Sequence, residues 1–241
     1  MLIGFVPPAA AQFDPPQLSV MTYNVLATND DIDAIAQTIR ASDADVVVLQ
    51  EISQRIAQRL PRALADDYAY SSLHPSPVSR LGLGVYSRFP LISDDYLAYQ
   101  TQSSRLRLQI NIKGLLVTIY NVHLANPLTN QTVDPQAHSE GITGLLDMLA
   151  SEYNPLIVVG DFNMTDFSTD YGRMAERLVD SFHESGTGLG NTYPSWSPLP
   201  LARLDYVFHS SDMTSLTTQV MPSAGSSDHF PVRAELAFQG S

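Results

Sequence analysis

Acidic and amide side chains recur in this sequence directly after short apolar runs. Glu51 comes two residues after the run Val46-Val47-Val48-Leu49, and Asp161 follows residues 156–160. Hard cations such as Mg²⁺ prefer carboxylate and amide oxygens, usually one or two protein carboxylates with water and substrate phosphate. One Asp after a strand is usually a turn or cap residue, but a matching set indicates a metal-assisted hydrolytic site. The candidates at predicted strand ends are Asn24, Glu51, Asp161, Asn163 and Asp228.

The segment Asp161-Phe162-Asn163 has two interpretations. Gly160 precedes it and permits an unusual backbone turn. Asp161 would then take a proton from water, while Asn163 orients that water or contacts a phosphate. In the alternative, Asp161 forms an Asx-turn with the local backbone at a strand exit.

Two histidines have a context that suits phosphate chemistry. His229 suits a phosphate oxygen if a carboxylate holds its ring in one tautomer, and Asp205 is the predicted carboxylate because a buried Asp needs a partner. Asp228, next to His229, is expected to face a different group. His123 is a second phosphate contact or a leaving-group acid, or else a structural hydrogen-bonding residue. The histidines left without a functional context are His74, His138, His183 and His209.

The elements that position these residues follow from apolar spacing. Residues 18–23 predict a strand ending at Asn24, then a helix capped by Asp30 or Asp31 with apolar residues at helical spacing. A buried strand follows at 46–49. The same order returns in a strand at 115–120, a helix around 142–149 and a strand at 156–159.

This repetition predicts an internal duplication. Tyr23-Asn24-Val25 corresponds to Tyr120-Asn121-Val122, and Glu51 corresponds to Asp161. Ligands in layered α/β folds gather outside the carboxyl ends of the strands, so both halves are expected to serve one cleft. Further strands are predicted at 82–88, 105–112, 204–209 and 232–238, and a long surface loop at 186–200.

Composition limits the classes of function. The 241 residues carry a formal net charge of -12, and Lys113 is the only lysine. General attraction to nucleic acid requires clustered Lys and Arg, so this charge disfavours a nucleic-acid substrate without excluding one. The chain has no cysteine, which excludes disulfides, thiolate nucleophiles and zinc–thiolate sites.

The N-terminal 17 residues are interpreted as a leader or linker before a single catalytic domain at 18–241. Met1 to Val6 is apolar but far shorter than the roughly 20 residues that span a bilayer, and no basic segment precedes it. Either this is a disordered leader, or it is the end of a membrane segment that tethers the domain. The second interpretation favours an extracytoplasmic location over a cytoplasmic one.

The ordered motifs resemble those of the endonuclease/exonuclease/phosphatase superfamily, in particular extracytoplasmic bacterial members. Gly160-Asp161-Phe162-Asn163 and the terminal Ser227-Asp228-His229 are the most specific of them. The others, in chain order, are Thr22-Tyr23-Asn24-Val25, Leu49-Gln50-Glu51, Tyr86-Ser87-Arg88, Asn121-Val122-His123-Leu124 and Leu204-Asp205-Tyr206.

The resemblance implies an α/β fold and a role for each site residue. The fold would be a four-layer α/β sandwich with two mainly antiparallel β-sheets packed together and flanked by helices. Glu51, assisted by Asn24 and Asp228, would hold Mg²⁺ or Mn²⁺. The remaining roles are a general base at Asp161, phosphate positioning by Asn163 and His123, and a donor, His229, that is oriented by Asp205.

The predicted function is metal-dependent hydrolysis of a phosphate ester, a phosphodiester or phosphomonoester of a small molecule or lipid headgroup. One alternative is a nuclease, which needs a basic track formed by Arg80, Arg88, Arg105 and Arg107. Leu26 stands where abasic-site endonucleases of the superfamily carry an acidic residue, which disfavours that role. The other alternative is a binding module without turnover. The aromatic loop Asn191–Trp196 is expected either to cover the site or to pack on the domain.

Overall fold

The computed structural model describes residues 16–77, 80–98, 103–127 and 135–239, and its elements account for every predicted strand. The described residues form twelve strands: β1 (Gln17–Asn24), β2 (Val46–Gln50), β3 (Tyr70–His74), β4 (Leu83–Ser87), β5 (Leu91–Ala98), β6 (Ser104–Ile112), β7 (Leu115–His123), β8 (Leu156–Asp161), β9 (Val179–Asp180), β10 (Asp205–His209), β11 (Met213–Val220) and β12 (Val232–Phe238). The helices are α1 (Ile32–Ser42), α2 (Gln54–Ala63), α3 (Pro135–Leu149), α4 (Thr169–Ala175) and α5 (Ser181–Ser185).

The strands form two six-stranded sheets with the same plan. One has the order β11-β12-β1-β2-β4-β3, and the other has the order β5-β6-β7-β8-β10-β9. In each sheet the third and fourth strands pair in parallel and all other neighbours pair antiparallel. The matching order agrees with the predicted duplication, with β1 equivalent to β7 and β2 equivalent to β8.

Three apolar clusters hold four layers together. The central cluster lies between the two sheets and includes Val48 and Val159. A second cluster packs α1 and α2 on the outer face of the first sheet, and a third packs α3 and α4 on the second sheet. This is the predicted α/β sandwich. Because β1 and β2 are covered on both faces, they are buried over nearly their whole length.

Two local predictions are refined. Asp31, not Asp30, caps α1, with its carboxylate accepting from the backbone N–H of Ala34 at 3.0 Å. Strand β7 does not end at Asn121 but continues to His123, because His123 pairs with Asp161 of β8.

Most of the predicted leader, residues 1–15, lies outside the described residues. Within the part of the chain that the structure describes, no helix combines the length and apolarity needed to cross a membrane.

Candidate active site

Side chains from both sheets converge on the buried carboxylate of Asp161 at the carboxyl ends of β1, β2, β7 and β8. Its Oδ2 lies 3.0 Å from Asn24 Nδ2, 3.7 Å from His123 Nε2 and 3.8 Å from His229 Nε2. Burial raises the pKa of Asp161 above the ordinary range of an aspartate, while the imidazole of His229 opposes this shift. The site therefore contains one carboxylate oxygen that faces two imidazoles and an amide.

The backbone around Asp161 requires glycine and a left-handed turn. Gly160 has φ +148°, and a Cβ there would lie 2.0 Å from the carbonyl oxygen of Val122. Asn163 has φ +50°, and its backbone N–H donates to Asp161 Oδ1 at 2.9 Å. The Asx-turn is therefore present at Oδ1, whereas Oδ2 faces the site and its role as a base stays a prediction. The Asn163 side chain donates to the carbonyl of Leu124 at 2.9 Å.

His229 is held by Asp205, as the sequence predicts. The Nδ1 of His229 lies 2.8 Å from Asp205 Oδ2, and both side chains are buried. Burial disfavours the charged ring, but the carboxylates of Asp205 and Asp161 outweigh it and raise the pKa of His229 to about 10. Ser227 fixes the segment, because its Oγ accepts from the N–H of His229 and donates to the carbonyl of Asn24.

His123 reaches the site because β7 extends past Asn121. Its Nδ1 bonds the carbonyl oxygen of Arg80 at 3.0 Å, so Nδ1 carries the proton. Its Nε2 then faces Asp161. The neighbouring backbone thereby sets the tautomer and direction of this ring.

Glu51 and Asn24 form the other side of the site. Glu51 has φ +61°, and its Oε2 accepts from the N–H of Ala27 at 2.9 Å, which leaves Oε1 3.3 Å from Asn24 Nδ2. Asn24 thus donates to the carboxylates of both Glu51 and Asp161, and its Oδ1 accepts from the N–H of Leu26. A metal ligand must present oxygen, so the metal role of Asn24 stays a prediction and requires its amide to turn.

The predicted metal ligands have the chemistry that Mg²⁺ or Mn²⁺ requires. Glu51 and Asp228 supply carboxylates, and Asp228 is half-buried beside His229, where its charge also raises the pKa of that ring. The structure also contains a buried group able to hold a metal ion, with ligand atoms within 4.8 Å of one another, formed by Asp161, Asp205 and His229. In that group His229 Nδ1 is already bonded to Asp205, and oxygen donors suit Mg²⁺ better.

The four arginines proposed as a basic track do not gather at the site. Arg80 does reach it, with a largely exposed guanidinium 3.6 Å from Glu51 Oε1. Arg88 pairs with Asp43 at the opposite end of β4, Arg107 pairs with Glu152, and Arg105 is buried against α3. Of these four arginines, Arg80 alone lies where it could contact a phosphate, and the predicted nucleic-acid track is not formed.

His138, which sequence reasoning left without a function, holds the turn that carries Asp161. From α3, its Nε2 lies 2.8 Å from the carbonyl of Phe162 and its Nδ1 lies 3.0 Å from Asp170 of α4. Both partners are acceptors, so the arrangement needs N–H on both ring nitrogens. The spacing of His138 from Asp161 gives no signal of this contact, because it depends on how α3 packs.

The aromatic loop contacts the site and is also exposed. The Tyr193 ring lies 4.9 Å from the ring of His229, and Ser195 donates its N–H to the carbonyl of Asp228. Trp196, two residues beyond the packed Pro194, is 77% exposed. The contacts of Tyr193 and Ser195 agree with the packing alternative, and covering of the site by this loop stays a prediction.

Comparison with known proteins supports this fold and identifies the family. The model of the Endonuclease/Exonuclease/phosphatase family matches residues 21–229. A search of curated proteins gave no significant match.

Solved structures share the fold at low identity. A Beutenbergia cavernae endonuclease/exonuclease/phosphatase matches with 23% identity and a TM-score of 0.75, covering 93% of this chain and 72% of that one. A family protein from Bacteroides thetaiotaomicron matches with 19% identity and a TM-score of 0.76, covering 95% of this chain and 100% of that one. Truncated TDP2 from Caenorhabditis elegans matches with 16% identity and a TM-score of 0.73, covering 92% of this chain and 98% of that one. With the family match over most of its length, the chain belongs to the endonuclease/exonuclease/phosphatase family, whose members are in general metal-dependent phosphoester hydrolases.

Proposed function

We propose that this protein hydrolyses phosphate esters by in-line attack of a water molecule that Asp161 activates. The observation that carries the proposal is the convergence of Asn24, His123 and His229 on one buried oxygen of Asp161. Burial raises the pKa of that carboxylate, which makes it a stronger base than an exposed aspartate. Its carboxylate is fixed by the turn at Asn163, so no reorientation is needed before proton transfer.

The surrounding donors suit the charge that develops on the phosphoryl oxygens. His229 is protonated at neutral pH because its pKa is raised to about 10, so it donates a charge-assisted hydrogen bond. Asn163 retains a second N–H beyond the one given to Leu124. His123 faces the same oxygen of Asp161 and serves as a phosphate contact or as the leaving-group acid.

Glu51 and Asp228 would hold Mg²⁺ or Mn²⁺, with Asn24 as a third ligand. A bound ion would neutralise phosphate charge and act as a Lewis acid on the ester. The Oε2 of Glu51 is fixed by Ala27, so this carboxylate is already oriented toward the site. Asp228 is half-buried next to His229 and its charge contributes to the raised pKa of that ring, which supports its assignment to the same site.

The substrate class we favour is a small phosphoester or a lipid headgroup. A chain of net charge -12 repels a polyanion, and Arg80 is the one member of the predicted arginine track that reaches the site. A module without turnover would not be expected to keep a base, an oriented imidazole and oxygen ligands together.

The test is a panel of soluble esters, bis(p-nitrophenyl) phosphate and p-nitrophenyl phosphate, with Mg²⁺, Mn²⁺, Ca²⁺ or chelator. We expect hydrolysis with Mg²⁺ or Mn²⁺ that disappears with chelator and falls about 10²–10⁴-fold in Asp161→Asn. Circular dichroism and thermal melting verify that the variant is folded. Full activity in folded Asp161→Asn would refute the general-base assignment, and an inactive folded wild type would refute the function.

A further inference from the structure

A closed hairpin next to the site carries a group of exposed apolar side chains. We call residues 189–202 the apolar hairpin. Tyr193 and Ala202 pair as an antiparallel bridge, and the side chain of Asn191 donates to the carbonyl of Pro200 at 2.8 Å. Ser197 donates to the carbonyl of Pro194 across the tip. These bonds give the segment a defined shape although it contains no helix and no regular strand.

The apolar hairpin is bonded to the segment that carries His229. The N–H of Ser195 donates to the carbonyl of Asp228 at 2.8 Å, and its Oγ donates to the carbonyl of Ser227. The N–H of Phe230 donates to the carbonyl of Thr192 at 2.8 Å. Whatever binds the hairpin is therefore held beside the site.

The hairpin concentrates exposed apolar surface. Its Leu189, Trp196, Leu199 and Leu201 are each between 74% and 81% exposed. They are four of the ten exposed large hydrophobic side chains among the described residues. Single exposed apolar residues are normal on protein surfaces, but a cluster indicates a binding surface. No charged residue occurs from 186 to 202, although 16% of the whole chain is charged.

The composition of this surface matches a lipid interface. Tryptophan is enriched at the boundary of the bilayer, and leucine side chains enter its apolar region. Three prolines, at 194, 198 and 200, lack an N–H, and the bridge satisfies others, which lowers the cost of leaving water.

The negative charge of the chain favours zwitterionic over anionic lipids. A net charge of -12 repels anionic membranes, and the hairpin has no Lys or Arg to offset this. We infer that the apolar hairpin docks on a zwitterionic phospholipid surface and presents phosphodiester headgroups to the site. The identity of the substrate in this inference rests on the proposed function, whereas the docking does not.

Trp196 provides a direct test, because it is the only tryptophan in the chain. Phosphatidylcholine vesicles are added to the full chain, and tryptophan emission and co-sedimentation are measured with and without chelator. We expect emission to move to shorter wavelength and protein to sediment, with weaker binding to phosphatidylglycerol vesicles. No shift and no sedimentation with phosphatidylcholine, or preference for the anionic vesicles, would overturn the inference.

Leu199→Ser is the test variant, and Tyr153→Ser is its matched control. Tyr153 is 97% exposed and precedes β8, at the end opposite Asp161. We expect Leu199→Ser to weaken vesicle binding about tenfold, the usual effect of removing one buried leucine side chain, and Tyr153→Ser to leave it unchanged. Equal effects of the two substitutions on vesicle binding would show nonspecific adsorption and refute docking through the apolar hairpin.

Hydrolysis of soluble bis(p-nitrophenyl) phosphate separates this inference from the proposed function. Leu199→Ser should keep the wild-type rate on the soluble ester and lose rate on phosphatidylcholine vesicles. If the wild type binds vesicles but hydrolyses no ester, the proposed function fails and the docking surface stands. If it hydrolyses the soluble ester but ignores vesicles, the docking inference fails and the function stands.

Discussion

The tripeptide Tyr-Asn-Val occurs in both halves of the molecule, but its asparagine has different surroundings in each. Asn24 is the last residue of β1, and its amide lies between the carboxylates of Glu51 and Asp161. Asn121 lies two residues before the end of β7 and is fully buried. The same motif therefore contributes to the site in one half and to the core in the other.

The length of the strand causes this difference. Asn121 donates to the carbonyls of Leu49 and Gly84 in the opposite sheet and accepts from the side chain of Gln50. It therefore links the two sheets. The end of β7 is occupied by His123, so the second half contributes an imidazole where the first contributes an amide. Duplication of a fold does not duplicate roles if one strand extends further.

The largest expected effects come from exchanging a carboxylate for an amide at the two equivalent strand ends. Asp161→Asn removes the proposed base and should lower kcat about 10²–10⁴-fold at every metal concentration. Glu51→Gln removes a proposed metal ligand and should raise the metal concentration for half-maximal rate at least about 100-fold, since even the loss of a residue that only hydrogen-bonds a ligand costs 10–100-fold in metal affinity.

Titration of Mg²⁺ against the rate of soluble-ester hydrolysis separates the two variants. Activity of Glu51→Gln should return at high metal, and that of Asp161→Asn should not. Rescue of Asp161→Asn by metal, with no rescue of Glu51→Gln, would show that the two halves have the opposite roles.

Alanine at the two asparagines tests the comparison directly. Asn121→Ala leaves two buried carbonyls and the Gln50 amide without a partner, so the free energy of unfolding should fall by about 2–4 kcal/mol. Asn24→Ala removes a donor between Glu51 and Asp161 and should lower kcat with little loss of stability. Urea denaturation and initial rates measure both quantities. Equal destabilisation by both substitutions would contradict the division between core and site.

Sequence predicts the interior of each sheet and not its edges. The eight predicted strands correspond to the inner strands, whose apolar runs are covered on both faces. The missed strands are the four at the sheet edges, which are β3, β5, β9 and β11. In β11 only three of the eight residues are buried, so alternation is weak, and β9 has just two residues.

The residues of the site also divide into those that the sequence predicts and those that it does not. Residues within ordered motifs, such as Asp161 and His229, are predicted because the motif order is specific. His138 is not, because it reaches the site through the packing of α3, and the prediction for the loop at 191–196 does not specify that Tyr193 contacts His229. Such contacts depend on tertiary structure that single-sequence spacing does not encode.

The His229–Asp205 pair, which joins the segment before β12 of the first sheet to β10 of the second, predicts a pH dependence of stability. The folded pKa is about 10 and the unfolded value is 6.5, so this contribution is complete below pH 6.5 and is lost as pH rises through 10. With metal chelated, the unfolding free energy of the wild type should decrease as the pH rises from 6.5 to 10. Asp205→Asn should flatten the profile, because Asp205 is the strongest carboxylate opposing desolvation of the ring. An unchanged profile in this variant would contradict the pairing.

The smallest expected effect concerns His138, which supports the turn of Asp161 from α3. His138→Leu removes the N–H given to the carbonyl of Phe162 and should lower kcat about tenfold, while the KM for ester stays constant. His138→Gln keeps an N–H for that carbonyl and should recover most of the rate. Loss of Asp170 as a partner occurs in both variants, so their difference isolates the contact with Phe162.

His209→Leu is the matched control for His138→Leu. His209 is equally buried and also bonded to a carboxylate, that of Glu184, but lies at the end of β10 away from the site. Both leucine variants should lose stability in urea denaturation, since each removes a buried imidazole together with its hydrogen bonds to a carboxylate and to a backbone carbonyl. Only His138→Leu should lose kcat after correction for the folded fraction. A parallel loss of kcat in His209→Leu would mean that stability alone limits the rate, and His138 would then have no positioning role.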